Sequence, residues 1–270
     1  MTTTIGYQGD GARLPGFSHS SKPSQYLLGW YPCQQADGDA DDEQITDRSS
    51  NEAHASIGSL TSAEAWANAG YFSALDEINH FGEVPLAKWP HRYAEATLLV
   101  FGWAYAQRDA TYSCFLWGNG SSDTITGGNL AVTTSGSLQF NLRGAGSVNS
   151  NSTTGAVGLF LSAGLHSYMI CVDAIARTIT IGADGAISLA GNATIPASAW
   201  EAADASVTRG MSIGCRSGQA NTNNLFANQQ RFLQFYSLTG KPAPTNLAAL
   251  CARQHAHPRL VLTSADMEFA

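Results

Sequence analysis

Asp76 and Glu77, in Leu75-Asp-Glu-Ile78, come nearest to a catalytic carboxylate pair in this chain. Glycosidic bond cleavage needs two carboxyl groups facing one cleft. On a strand, neighbouring side chains point to opposite faces, so a same-side pair needs spacing such as Glu-x-Asp-x-x-Glu. Nothing in the sequence has that pattern, and on a loop Asp76 and Glu77 would be solvated. A diverged glycoside hydrolase stays open only as an alternative. The chain also lacks His-Glu-x-x-His and a phosphate-binding Gly-Lys-Ser/Thr loop. His19, His54, His80, His91, His166, His255 and His257 are scattered, and the last two sit where a helix ends, suited to its negative dipole end. The expectation is a protein without catalysis.

Binding chemistry offers more. Asp37, Asp39, Asp41 and Glu43 alternate like the opening of an EF-hand loop, but Asp42 stands at the position of the invariant glycine and Arg48 at that of the closing glutamate. A looser calcium site through Asp47 or Asn51 is the remaining metal candidate, against a plain solvated acidic loop. Otherwise no cofactor is expected. Sugar recognition would use an aromatic ring for the apolar sugar face beside amides for the hydroxyls. Trp117 with Asn119, and the run holding Asn221, Asn223 and Asn224, meet that description. The competing possibility is that Trp117 is core and the asparagines form a turn. Asn119, Asn151 and Asn192 fit glycosylation sequons, which matter only in an exported chain.

The 270 residues that position these groups are 44% hydrophobic and 10% aromatic, enough for a sizeable core. Only 13% are charged and 27 are glycine, a balance that suits a sheet protein with many tight turns. A net charge of −7 argues against binding a phosphate backbone. No apolar run is long enough to cross a bilayer. The first ten residues have neither a basic nor an apolar signal region, so export by the secretory route is not expected. Cys33, Cys114, Cys171, Cys215 and Cys251 are odd in number and widely spaced, which fits buried thiols from a reducing cytoplasm.

Residues 1–24 are Gly-, Ser- and Pro-rich and read as an extended arm. Strand signals fall at 25–31, 94–106, 112–117, 129–133, 138–142, 157–161, 166–173, 178–182, 210–215 and 231–237, separated by Gly- and Asn-rich turns, with 144–154 as a polar loop. Thr61-Ser-Ala-Glu64 has the form of a capping box and predicts a helix over 61–69. A second helix is expected at 244–254 with Thr245 as N-cap. These elements predict an all-β, antiparallel β-sandwich with two short helices, over residues 25–258 with an insert at about 57–90, followed by a tail at 259–270.

Four segments, in order, resemble the laminin-G-like jelly rolls of the concanavalin-A-like superfamily. Leu27-Leu-Gly-Trp-Tyr-Pro-Cys33 with Asp47-Arg-Ser-Ser-Asn-Glu-Ala-His-Ala55 resembles the opening strand and its Asp-x-Ser-Gly-Asn-x-x-His turn. Ala96-Thr-Leu-Leu-Val-Phe-Gly-Trp-Ala104 resembles the central strand. Leu165-His-Ser-Tyr-Met-Ile-Cys-Val-Asp173, Thr178-Ile-Thr-Ile181 and Asp184-Gly185 resemble the hairpin that follows. Arg231-Phe-Leu-Gln-Phe-Tyr-Ser-Leu238 and the helix after Pro244 resemble the closing strand and helix. In this sequence Ser50 stands at the usual glycine and Leu165 at the usual Trp. The resemblance implies a lectin-like sandwich that binds or assembles. Joined to the arm and the cytoplasmic character, it suggests a bacteriophage virion component (a capsid decoration, fibre or tail adhesin) that docks through 1–24 and 259–270 on other virion proteins or copies of itself, with a host-surface glycan as possible ligand. A free carbohydrate-binding lectin is the alternative. No nucleic acid or membrane insertion is expected.

Overall fold

The computed structural model describes residues 24–33, 44–57, 82–106, 114–119, 127–144, 151–162, 164–191, 195–205, 207, 209–215 and 230–270. Two sheets carry the chain. The six-stranded sheet has the order β1 (Leu27–Tyr31), β14 (Gln230–Thr239), β5 (Ala96–Ala106), β10 (Gly164–Asp173), β11 (Thr178–Ala183), β12 (Ala186–Leu189). The eight-stranded sheet has the order β2 (Gln44–Ile45), β3 (Ala55–Ile57), β4 (Gly82–Glu83), β13 (Ser212–Ile213), β6 (Cys114–Gly118), β7 (Gly127–Val132), β8 (Leu138–Arg143), β9 (Asn151–Gly155). Pairing is antiparallel throughout both sheets. The expected antiparallel β-sandwich is the fold observed.

Alternation along the strands builds the core between the sheets. Leu98, Val100 and Ala104 of β5 and Tyr168, Ile170 and Val172 of β10 share one buried cluster with Leu130 and Val132 of β7 and Phe140 and Leu142 of β8. Trp117 and Phe235 meet edge to face inside it, with ring centroids 5.4 Å apart. Each large apolar side chain buried this way stabilises the fold by about 1.5–3 kcal/mol.

The opposite face of the six-stranded sheet is apolar as well. Leu99 and Phe101 of β5, Met169 and Cys171 of β10, and Tyr236 and Leu238 of β14 form a second buried cluster. Helix α2 (Leu247–Ala256) covers it with Leu250 and Cys251, and Leu260, Leu262 and Met267 complete the cover. The tail at 259–270 is strapped over the sheet. Gln254 Nε2 and Gln234 Nε2 donate to the Leu260 carbonyl at 2.8 and 3.0 Å, and Leu262 N donates to the Tyr236 hydroxyl at 2.9 Å. These bonds satisfy buried polar groups that would otherwise be costly.

Other differences from expectation are local. Residues 157–161 form no strand: Ala156 and Gly158 take left-handed backbone angles (φ 51° and 73°), and Leu159–Leu161 is a single tight helical turn. The strand pairing with β8 lies earlier, at Asn151–Gly155, within the expected polar loop. Helix α1 (Ala197–Ala205) was not anticipated, because its alanine-rich sequence carries little periodicity; it buries Ala199, Trp200 and Ala203 against the inner core. The N-cap of α2 is Asn246 rather than Thr245. Asn246 Nδ2 donates to the Asp266 carbonyl at 2.9 Å, which ties the helix start to the C-terminal strap. The arm up to residue 23, the acidic loop 37–43, the helix expected at 61–69 and the pair Asp76–Glu77 lie outside the described residues.

Candidate functional site

Trp117 and Asn119 do not form a sugar platform. The ladder of β6 is irregular between Phe115 and Trp117, and Leu116 and Trp117 both join the inner core. Trp117 is fully buried, with Phe140 5.9 Å and Phe235 5.4 Å away between ring centroids. Asn119 is also fully buried: its Oδ1 accepts from the Tyr93 hydroxyl at 2.6 Å and from Gly128 N at 3.3 Å. Asn221, Asn223 and Asn224 lie outside the described residues. Of the calcium candidates, Asp47 accepts from Trp30 N (2.8 Å), Ser49 N (2.9 Å), Ser49 Oγ (2.7 Å) and Ala53 N (2.8 Å). Asn51 Nδ2 donates to the carbonyls of Leu28 (3.0 Å) and Lys88 (3.1 Å). Both side chains pin the turn between β2 and β3 onto β1 and its surroundings.

The same use recurs at the other described aspartates, Asp173, Asp184, Asp204 and Asp266. Asp173 accepts from Ile175 N, Ala176 N and Ala243 N, all at 2.9 Å, so one carboxylate closes the β10–β11 turn and holds the lead into α2. Asp184 accepts from Ser167 N at 2.9 Å and faces His166 Nδ1 at 3.0 Å. Asp204 of α1 accepts from Tyr93 N at 2.6 Å and Ala94 N at 2.8 Å. Burial pushes its carboxyl above the ordinary range, only partly offset by those two N–H bonds and Arg92. Asp266 is bound by Thr263 N (2.7 Å), by Thr263 Oγ1 (2.8 Å) and by Arg253. All of these carboxylates are spent on holding backbone.

Two surfaces remain as places where a ligand could meet side chains. The outward face of the eight-stranded sheet carries a polar row, one residue per strand in register: Gln44, Ser56, Glu83, Ser212, Gly118, Asn129 and Asn141. The next row, Ile57, Gly82, Ile213, Trp117, Leu130 and Phe140, faces the core. The middle of the polar row is closed, since Ser212 and Asn129 are fully buried and Asn141 nearly so. Gly118 leaves no slack there, because a Cβ on it would sit 2.1 Å from Asn129 Oδ1.

The second surface is the end of the six-stranded sheet that, among the described residues, lies beyond the cover of α2. Beyond Leu99 and Phe101, the alternation of β5 puts Trp103 and Tyr105 on the same outer face, both half-buried. In register across β5, Trp103 lies between Arg231 of β14 and Ser167 of β10, and Tyr105 lies beside Leu165. His255 of α2 stacks on the Trp103 indole, with ring planes 9° apart and centroids 5.2 Å apart, and its Nδ1 is 2.8 Å from Ser167 Oγ. Phe232 completes the edge from a bulge in β14, in a left-handed conformation (φ 48°), with the Arg259 guanidinium 5.2 Å above its ring. Trp103, Ser167, Phe232, Cys251, Gln254, His255 and Pro258 line a small recess of about 10 Å³, room for about one water. Burial raises the Cys251 thiol to about 11, so it is no nucleophile at neutral pH. The Ser167–His255 contact has the separation of a nucleophile and its base, but Asp184 faces His166 rather than His255, so among the described residues no carboxylate orients the imidazole as a base requires. In the sequence Trp103 stands only within the segment that resembles the central strand, and the signal it carries is the Trp-x-Tyr spacing.

No family model and no curated protein sequence matches the chain. Solved structures do. A sialidase from Trypanosoma rangeli, in complex with a 2,3-difluoro nononic acid, superimposes with a TM-score of 0.54 at 11% identity over 88% of this chain and 34% of that one. The binding domain of botulinum neurotoxin serotype G gives 0.53 at 9% identity, over 85% of this chain and 50% of that one. The receptor binding domain of the C/D mosaic serotype gives 0.51 at 12%, over 85% and 51%. The chain shares their β-sandwich fold. It spans between 34% and 51% of the length of these proteins. Among the described residues, no helix is long and apolar enough to cross a membrane.

Proposed function

We propose that this protein is a non-catalytic recognition module whose ligand is a glycan. The observation that carries the reading is the division of labour among its polar groups. All the described aspartates hold backbone N–H groups, while Trp103 and Tyr105 stay half-buried on the outer face at the end of one sheet, the indole stacked by His255. Acid–base cleavage needs carboxyls free to exchange protons with a substrate; face recognition of a sugar needs rings and fixed donors. The sandwich is also shared with two toxin segments described as binding domains. Screening the full chain on arrayed glycans, with product analysis on the same glycans, tests this. Binding without turnover is the expected result, and release of cleaved sugar would overturn it.

The finer placement in a virion rests on sequence character, chiefly the Gly-, Ser- and Pro-rich arm 1–24. Removing those residues should abolish co-sedimentation with particles while leaving the thermal transition of the sandwich unchanged. Full incorporation of the truncated chain would refute a docking arm.

A further inference from the structure

We propose that His91 is an acid-sensitive latch: its neutral imidazole holds closed the segment 84–95 that bridges the two sheets, and mild acid works that closure loose. The latch does not depend on which ligand the module takes. Val84, Trp89 and Tyr93 of this segment all belong to the core between the sheets. On the six-stranded side, Trp89 meets Phe235 of β14 edge to face, with ring centroids 5.0 Å apart. On the eight-stranded side, Val84 N donates to the Met211 carbonyl at 2.7 Å. The Tyr93 hydroxyl donates to Asn119 Oδ1 at 2.6 Å and packs directly on Gly128 of β7. His91 stands between these attachments. Its Nδ1 lies 2.9 Å from Ser237 Oγ of β14, and its ring meets the Tyr93 ring edge to face at 4.9 Å. One imidazole thus links a strand of one sheet to the tyrosine anchored on the other.

The ring has no place for a second proton. His91 is 1% exposed, and its Nε2 is enclosed with no hydrogen-bond partner among the described residues. A neutral imidazole with its proton on Nδ1 donates to Ser237 and leaves Nε2 as a bare acceptor. Protonation puts a charged N–H on Nε2 with nothing to receive it, which costs far more than an unpaired neutral group. The charged and titratable groups around the ring do not offset that charge. Arg92, next in the chain, opposes a second positive charge, and burial keeps the Tyr93 phenol neutral. Asp204 of α1 is taken up by Tyr93 N and Ala94 N, and Glu95 bears on Asp204. From β14 the ring is faced by the Ser237 hydroxyl, which is neutral.

Burial, with Arg92 second, accordingly lowers the imidazole from its ordinary value to about 3. In the unfolded chain a histidine takes up its proton near pH 6.5. The unfolded state therefore binds more protons than the folded one, and stability falls as pH drops from about 6.5 toward the folded value. Asp204 runs the other way, because burial raises its carboxyl and acid relieves it.

Urea denaturation of the full chain at stepped pH, with wild type beside His91→Asn and His91→Phe, measures the latch. Asn keeps a donor where Nδ1 stands and Phe keeps the ring, but neither titrates. Between pH 7 and 5 the unfolding constant of wild type should rise roughly 25-fold relative to either variant. Every other titrating group is common to the three chains, so the difference reports His91. The His91 ring signals of folded wild type, followed by NMR over the same range, should stay those of the neutral form, a readout that stands even if neither variant folds. Parallel pH profiles for wild type and both variants overturn the latch, as does a His91 ring that titrates near pH 6.5 in the folded protein.

Discussion

The two sheets turn very different outer faces away from the shared core. The six-stranded sheet is apolar on that side, and α2 with residues 259–270 closes over Leu99, Phe101, Met169 and Tyr236. The eight-stranded sheet carries Gln44, Ser56, Glu83, Ser212, Asn129 and Asn141 in one row. A sheet apolar on both sides demands a lid. Where the lid ends, aromatic side chains are left half-open, as at Trp103 and Tyr105. The polar row is itself closed in its middle, where Ser212, Asn129 and Asn141 are buried.

Removing the lid should have the largest effect. Truncation after Pro258 deletes Leu260, Leu262 and Met267 and strips the Leu260 carbonyl from Gln234 and Gln254. Losses of about 2–5 kcal/mol per large core side chain exceed what a domain of ordinary stability can spare. The truncated chain should lose its cooperative urea transition and bind a hydrophobic dye. A wild-type-like transition would show that 259–270 contributes nothing to closing the second core.

Asp47→Ala comes next, with an expected loss of about 3 kcal/mol in urea denaturation, since it leaves three buried or part-buried N–H groups without their acceptor. Gly118→Ala probes the polar face instead. Its Cβ must displace Asn129, and overpacking of this kind costs about 1–3 kcal/mol. If Gly118→Ala were neutral, the polar face would be looser than the apolar one, and the contrast between the faces would fade.

Much of this contrast could be seen in the chain itself. The long apolar run at 94–106 carries no clean alternation because Leu98 and Val100 face one core and Leu99 and Phe101 the other. Strands such as 178–182 and 138–142 were visible from turn residues and alternation. The site was hidden for a physical reason. A tryptophan's position on a strand does not reveal whether a helix about 150 residues later covers it, and of the two possibilities open for Trp117, platform or core, the irregularity in β6 that sends Leu116 and Trp117 into the same cluster decides for core. Two-residue strands such as β2, β4 and β13 have no periodicity to detect. Asp47 drew attention as a possible metal ligand, although the Asp-x-Ser turn around it already specified its backbone partners.

The smallest expected effect lies where the lid is buttoned down. Burial works against ionising Asp266, but the Thr263 N–H and hydroxyl and the Arg253 guanidinium outweigh it and hold the carboxyl below its ordinary value. A carboxyl depressed in the folded state contributes stability at pH values above its unfolded pKa, near 3.9 for aspartate. That contribution is lost as pH falls below about 4 and through the lowered folded value. The pair is partly in water, so the gain is under about 1 kcal/mol. Urea denaturation of wild type and Asp266→Asn at stepped pH should show a small gap at pH 6 that closes on acidification, and added salt should narrow it. A gap independent of pH would mean that Asp266 holds the strap through its hydrogen bonds to Thr263 alone, leaving the ion pair with Arg253 without effect on how firmly the lid covers the second core.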